Sequence, residues 1–261
     1  MEILHYKFVY IAAILAIGLL AGLMPMLGGP GRRHERLFSL GNALGGGVFL
    51  GAGLIHLLPD AVDNFSDLLG PQIDYPIAPL ICAGGFFLVL LIEKVIVGGD
   101  EEHVYSEADR DCETMVPYVL ALVLSVHSLI AGMALGAESQ VAASAALFIA
   151  IIAHKGVAAF ALGVSLHRGA VRRWRSIGIV TLFSVMTPLG ILGGTVLGAL
   201  LTGHAEQWFE GTFDALAAGT FLYVAVVDII SQEFSVRRDV WQKFAMVLVG
   251  LAIMALVAVW T

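Results

Sequence analysis

Charge is scarce in this chain. Asp, Glu, Lys and Arg make up 13% of its 261 residues, about half the share usual in a soluble domain. That poverty excludes a water-soluble enzyme domain. With 59% hydrophobic residues and a mean hydropathy of +0.89, the chain reads as one polytopic membrane domain, 1–261. Cysteine is scarce too. Cys82 in an apolar run and Cys112 in a polar loop exclude a disulfide framework and read as two reduced or buried thiols. There is no basic surplus, since the net charge is −7, so nucleic acid is not an expected partner. No nucleotide-binding motif is present, which excludes ATP as the direct driver. No small-residue cleavage site follows the first apolar run, so that run is expected to stay as a helix.

What fills the chain is long apolar runs. A membrane-spanning helix needs about 20 mostly apolar residues. Eight runs qualify, near 7–28, 39–60, 77–98, 115–137, 141–166, 176–201, 212–232 and 241–260. The expected fold is all-α, with eight transmembrane helices in a 3+2+3 arrangement built on an inverted repeat. Twelve of the fourteen basic residues fall in alternate loops, from Arg32 to Lys243, leaving only Lys7 opposite and Lys155 within a run. By the positive-inside rule both termini are then outside the cytoplasm. The repeat is visible without gaps. The run from Asn42 and the run from Asp214 share Ala, Leu, Gly, Phe and Leu, and His56 falls opposite Asp228. Inverted repeats flanking a mid-membrane site are typical of secondary transporters.

The chemistry sits where polarity is most costly. His127 and His154 lie near the middle of the fourth and fifth runs, and Lys155 follows at once. An ionised group at that depth costs on the order of 2.5–3.5 kcal/mol even on a lenient scale. Matched imidazoles suit zinc, iron, nickel or copper, and an incomplete shell suits a cargo that must be released. Ser128, Ser184, Met186 and Thr187 are candidates for further positions, beside water. Neither helix supplies an acid one turn on, because those positions are Ala131 and Ala158. Lys155 reads as a fixed cation that disfavours a second ion and pairs with an acid. His56, Asp60 and Glu138 are expected to gather cations at an outer vestibule, followed by Asp63 and Asp67. Asp228 and Glu233 are expected at the inner exit. His103 is the one histidine in the acidic inner loop. Gly132 and Gly136, with Ala159 and Gly163, have the spacing of close helix contacts, and Pro188 is expected to kink the sixth helix.

Several stretches together resemble the ZIP (Zrt/Irt-like) family of divalent metal transporters. They are LLPD (57–60), HSLIAGMALG (127–136), HKGVAAFALGVSL (154–166), FSVMTPLG (183–190) and AAGTFLYVAVVDIISQEF (217–234). The likeness is to the branch with His-Ser on the fourth helix and His-Lys on the fifth. It implies the eight helices in a 3+2+3 arrangement, outside termini, import of zinc or a related ion, and His127, Ser128 and His154 at the transport site. Family members with two metals carry an acid where Lys155 stands, which implies one ion here. That branch also reads His-Ser-x-x-Glu-Gly, and this chain has Ala131 in the Glu place. The family's long His-rich inner loop is absent.

The expected function is transport of a divalent cation, Zn²⁺ first and Fe²⁺, Mn²⁺ or Cd²⁺ as alternatives, into the cytoplasm without a resident cofactor. The expected metal residues are His127, His154, Ser128, His56, Asp60, Glu138, Asp228 and Glu233. The membrane is a bacterial inner membrane or a eukaryotic plasma membrane. Membrane lipid is the expected surrounding partner, and a homodimer is compatible with the reading. Three rivals are a transport-dead homologue that senses metal or scaffolds partners, a haem protein ligated by His127 and His154, and an intramembrane metallohydrolase. The last would want a general-base Glu beside the histidines.

Overall fold

A computed structural model describes residues 2–27, 32–70, 75–97, 116–138, 140–169, 171–197 and 204–259. The acidic stretch 98–115, with His103 and Cys112, lies outside the described residues. Eight helices are long and apolar enough to cross a membrane. They are α1 (His5–Leu27), α2 (His34–Leu69), α3 (Ile77–Ile96), α4 (Pro117–Ala137), α5 (Val141–Arg168), α6 (Arg173–Val196), α7 (Gln207–Ser235) and α8 (Val240–Val257). Among the described residues there is no strand. Helix is what a bilayer demands, because each backbone N–H and C=O must be satisfied within its own segment.

α2 is longer than its apolar run suggests. It continues through Asp60, Asp63 and Asp67 to Leu69. That extension is amphipathic, with Ala61 and Phe65 buried and Asp63 and Asp67 exposed, so hydropathy alone ends it early.

Contacts divide the helices into two groups of four. α1, α4, α5 and α6 pack together, and α2, α3, α7 and α8 pack together. The groups touch mainly where α5 meets α2 and α8 and where α4 meets α7. Small residues make the contacts inside each group. Gly47 of α2 lies on the carbonyl of Val247 in α8, while Gly250 of α8 lies on that of Leu44. In the same way Gly219 of α7 lies on the carbonyl of Cys82 in α3, and Gly85 of α3 on that of Leu216. Under the register that sets Asn42 opposite Asp214, Gly47 matches Gly219 and Leu44 matches Leu216. The likeness between α2 and α7 is therefore one of packing as well as of letters. Gly132 and Gly136 of α4 serve α6 in this manner, at Thr187 and Ile191, and Gly163 of α5 serves α1, at Gly22.

The same register aligns a backbone irregularity. α2 widens into π-helix over Ala52–Leu57, and α7 does so over Val224–Ile230. Such turns are rare and concentrate at functional sites. His56 sits in the first and Asp228 in the second.

A Cβ at Gly219 has nowhere to go but into the backbone of α3. Gly219→Ala is expected to cost about 1–3 kcal/mol of stability, the usual toll of overpacking. Gly84 faces open space, so Gly84→Ala is the matched control. Thermal unfolding of both variants in detergent decides the matter, and equal melting temperatures would refute the close-contact account.

Candidate metal centre

α4 and α5 run antiparallel through a short connection, so His127 and His154 meet at one depth. Their ring centroids are 6.0 Å apart. Each residue is 7% exposed, and the Nδ1 of each is buried without a hydrogen-bond partner. A buried polar atom left unpaired costs about 1–3 kcal/mol, and such orphans ask for a ligand. The separation suits one. Zinc lies about 2.0–2.1 Å from each imidazole nitrogen, which puts two ligating rings roughly 5–6.5 Å apart, centre to centre.

His56 extends the pair into a row, with its ring centroid 6.3 Å from that of His154. The π-turn of α2 sets its direction. Its Nδ1 contacts Asp60 Oδ2, one turn on, at 2.9 Å. A carboxylate on one imidazole nitrogen fixes the ring and raises the basicity of the other nitrogen toward a metal. The row thus spans both helix groups, His127 and His154 on one and His56 on the other. Phe221 of α7 stands edge-on to His127 at 5.3 Å. Among the described residues no three His, Cys, Asp or Glu side chains converge as a finished metal site. The histidine pair borders a cavity of about 10 Å³, room for roughly one water.

Lys155 closes one wall of that cavity, 2% exposed. The sequence suggests an acid as its partner, and among the described residues its hydrogen-bond partners are two hydroxyls and a carbonyl. Its Nζ donates to Ser128 Oγ at 2.9 Å, Thr187 Oγ1 at 3.0 Å and Phe183 O at 3.1 Å. It also stands 3.7 Å above the centre of the Phe183 ring. Three N–H groups thus meet three acceptors, which is how an ammonium survives burial. Ser128, expected beside the ion, accepts from Lys155 and lines the same cavity as the two histidines. Ser184 is also committed, donating to Val180 O at 2.7 Å.

The remaining candidates separate. Glu138 does not converge on the histidines. Its Oε1 accepts from Gln140 N at 2.6 Å, next to the first residue of α5, and Lys7 nearby donates to Gly136 O. Its spacing from His127 places it on the right face but one connection too far out. Asp228 is buried, with Oδ1 unpartnered and its carboxyl in hydrogen-bonding reach of Glu93. It borders a larger cavity of about 210 Å³, shared with Asn42, Ser165, Arg168 and Gln232. Glu233 is a clasp. Its Oε1 accepts from Asn42 Nδ2 at 2.9 Å and Arg168 Nη1 at 2.5 Å, and its Oε2 from Ser39 Oγ at 2.5 Å. Lys243 Nζ lies 3.6 Å from Oε2 and donates to the Glu233 carbonyl. Both oxygens are thus engaged by neighbouring helices.

Two acids escaped the sequence reading. Glu93 is visible only through its contact with Asp228. Asp214 lies seven residues before Phe221, so both fall on one face of α7, a spacing that could have drawn notice.

The profile of the ZIP zinc transporters matches residues 4–115 and 100–258. Zinc transporter ZIP2 of Mus musculus is 30% identical over 269 residues, covering 87% of each chain. Zinc transporter ZIP1 of Homo sapiens is 31% identical over 291 residues, 96% of this chain and 90% of that one. Zinc transporter ZIP2 of Homo sapiens is 30% identical and covers 99% of both chains. A membrane domain of eight apolar helices with histidines facing one another at its centre, matched along nearly its whole length, belongs to the ZIP zinc transporter family.

Proposed function

We propose that this chain carries a divalent metal ion, zinc first, through the membrane by way of His127 and His154. The carrying observation is the pair of buried imidazoles 6.0 Å apart with unpartnered nitrogens. Their relatives' names as zinc transporters support the cargo. Fe²⁺, Mn²⁺ and Cd²⁺ meet the same donors and are the natural competitors. His56, held by Asp60, hands the ion to the pair from the end of the bundle that carries both termini. Asp228 receives it in the larger cavity, which Arg168 also lines, at the opposite end, whose loops carry most of the basic residues. The positive-inside rule makes that basic end cytoplasmic, so transport is import and both termini are outside. We read the order of helices as 3+2+3, the first three and last three related by inversion.

Access alternates when the two helix groups move against each other. α4 and α5 belong to one group with α1 and α6 and move with it. Lipid covers the apolar side chains exposed around the girdle, such as Leu20, Phe87, Leu122 and Val196, and a homodimer would form through that girdle. The chain acts as a transporter on this reading, the class that its relatives' names give. A haem reading fails on space, since the cavity has room for about one water.

The test is metal uptake into proteoliposomes holding the purified chain, with Zn²⁺, Fe²⁺, Mn²⁺ and Cd²⁺ compared. Saturable zinc uptake is expected. Folded protein that binds zinc but moves none would make it a sensor or scaffold instead.

A further inference from the structure

The histidine row has a charge problem. Three imidazoles supply no negative charge, the residue one turn after His127 is Ala131, and the remaining ionisable group in the cavity wall, Lys155, is basic. A divalent cation needs anions near its path, because fixed charges in a low-dielectric cleft set how strongly it is drawn in.

α7 provides one. It runs antiparallel to α2, with Gly211 against Asn64 and Phe65 and the carbonyl of Ala218 against Gly53. That register puts Asp214 level with the turn of α2 that carries His56 and Asp60. Asp214 accordingly lies in the electrostatic field of both, and of Glu210 one turn further out. It is also two turns, about 10.5 Å, from Phe221 along one face of α7, and Phe221 abuts His127. Asp214 therefore stands on the path between the terminal end of the bundle and the histidine pair. It is partly buried, so solvent screens it less than the exposed Asp63 and Asp67.

We infer that Asp214 is a further residue of the cation path, supplying together with Asp60 the carboxyl group that Ala131 withholds, and so sets the affinity with which a divalent ion reaches His56 and His154. The inference rests on the transport reading for its meaning but not for its test. Zinc binding to the purified chain in detergent, measured by calorimetry, is the first readout, and zinc uptake into proteoliposomes is the second. Asp214→Asn keeps shape and removes charge. It is expected to weaken zinc binding and raise the KM for uptake by about ten-fold or more, the scale of one unscreened charge near a divalent ion. Asp214→Glu is expected to hold affinity near that of the unaltered chain. Ala131→Glu placed in the Asp214→Asn background is expected to restore it, because the charge returns on the other side of the same path.

Unaltered affinity in Asp214→Asn overturns the inference and leaves the transporter standing. So does a loss in Asp214→Asn that Asp214→Glu shares and Ala131→Glu fails to mend, since that pattern marks packing rather than charge. Zinc binding that depends on Asp214 without any uptake by the unaltered chain would sustain the inference and sink the transport reading. No zinc binding by the unaltered, folded chain would sink both.

Discussion

His154→Ala is expected to abolish zinc uptake and to weaken zinc binding by more than about 100-fold. The reasoning starts from ligand count. The site offers His127 and His154 as a facing pair and His56 as the third ring of the row, 6.3 Å from His154. His154 is the middle member, adjacent to both of the others. Removing it takes away the ring that stands next to both of the others. Loss of a residue that merely supports a metal ligand already costs about 10–100-fold, and loss of a ligand from so sparse a shell must exceed that. His127→Ala should cost less, because His154 and His56 remain neighbours. His56→Ala should be milder, since the central pair survives. The order His154, His127, His56 is the signature of a row. Equal effects at all three would argue for one shared three-histidine site. No effect at His154 would remove the histidine centre from the mechanism altogether. Calorimetry and uptake on the three variants, each checked for its melting temperature, supply the measurement.

Much of the molecule could be read before its structure, for a physical reason. Water is absent from a bilayer core, so each span must be a continuous apolar run, and continuous runs are local facts of sequence. The same reason exposed His127 and His154, since isolated polar residues stand out in an apolar run. Where the chain leaves that constraint, the sequence is less informative. The end of α2 is amphipathic, and hydropathy does not follow it to Leu69. Glu138 shares a helical face with His127 but sits past the end of α4, where it holds the connection to α5. Partners are the hardest to see. Lys155 satisfies itself with Ser128, Thr187 and a carbonyl rather than an acid, and hydroxyls carry no charge by which to spot them. Asp214 faces α2, a helix far away in the chain, and its local signal is no more than the seven-residue spacing to Phe221.

Glu233 carries the second large prediction, and it separates two roles that the sequence leaves joined. An acid near the inner end of α7 can be a ligand for a departing ion or a fastener for the helices. The structure gives Glu233 four partners on three other helices, namely Ser39 and Asn42 on α2, Arg168 on α5 and Lys243 on α8. It is 4% exposed, and Lys243 is 3% exposed. Glu233→Ala would leave Lys243 buried without its counter-charge, and removing one member of a buried ion pair costs about 3–5 kcal/mol. A fall in thermal stability of that size is expected in detergent, with zinc affinity of the surviving folded protein unchanged. Glu233→Gln keeps the hydrogen-bonding shape and should lose less, because an amide oxygen still accepts from one neighbour. The Arg168 link is also a charged contact between the two helix groups at this end. Arg168→Ala leaves Glu233 paired with Lys243, so it should be mild for stability, yet it loosens one group from the other and should alter the rate of uptake more than the affinity. If Glu233→Ala instead lowers zinc affinity at unchanged melting temperature, the carboxylate is a ligand and the clasp is incidental. Stability and affinity therefore move apart in opposite directions under the two roles, and one purified variant tells them apart.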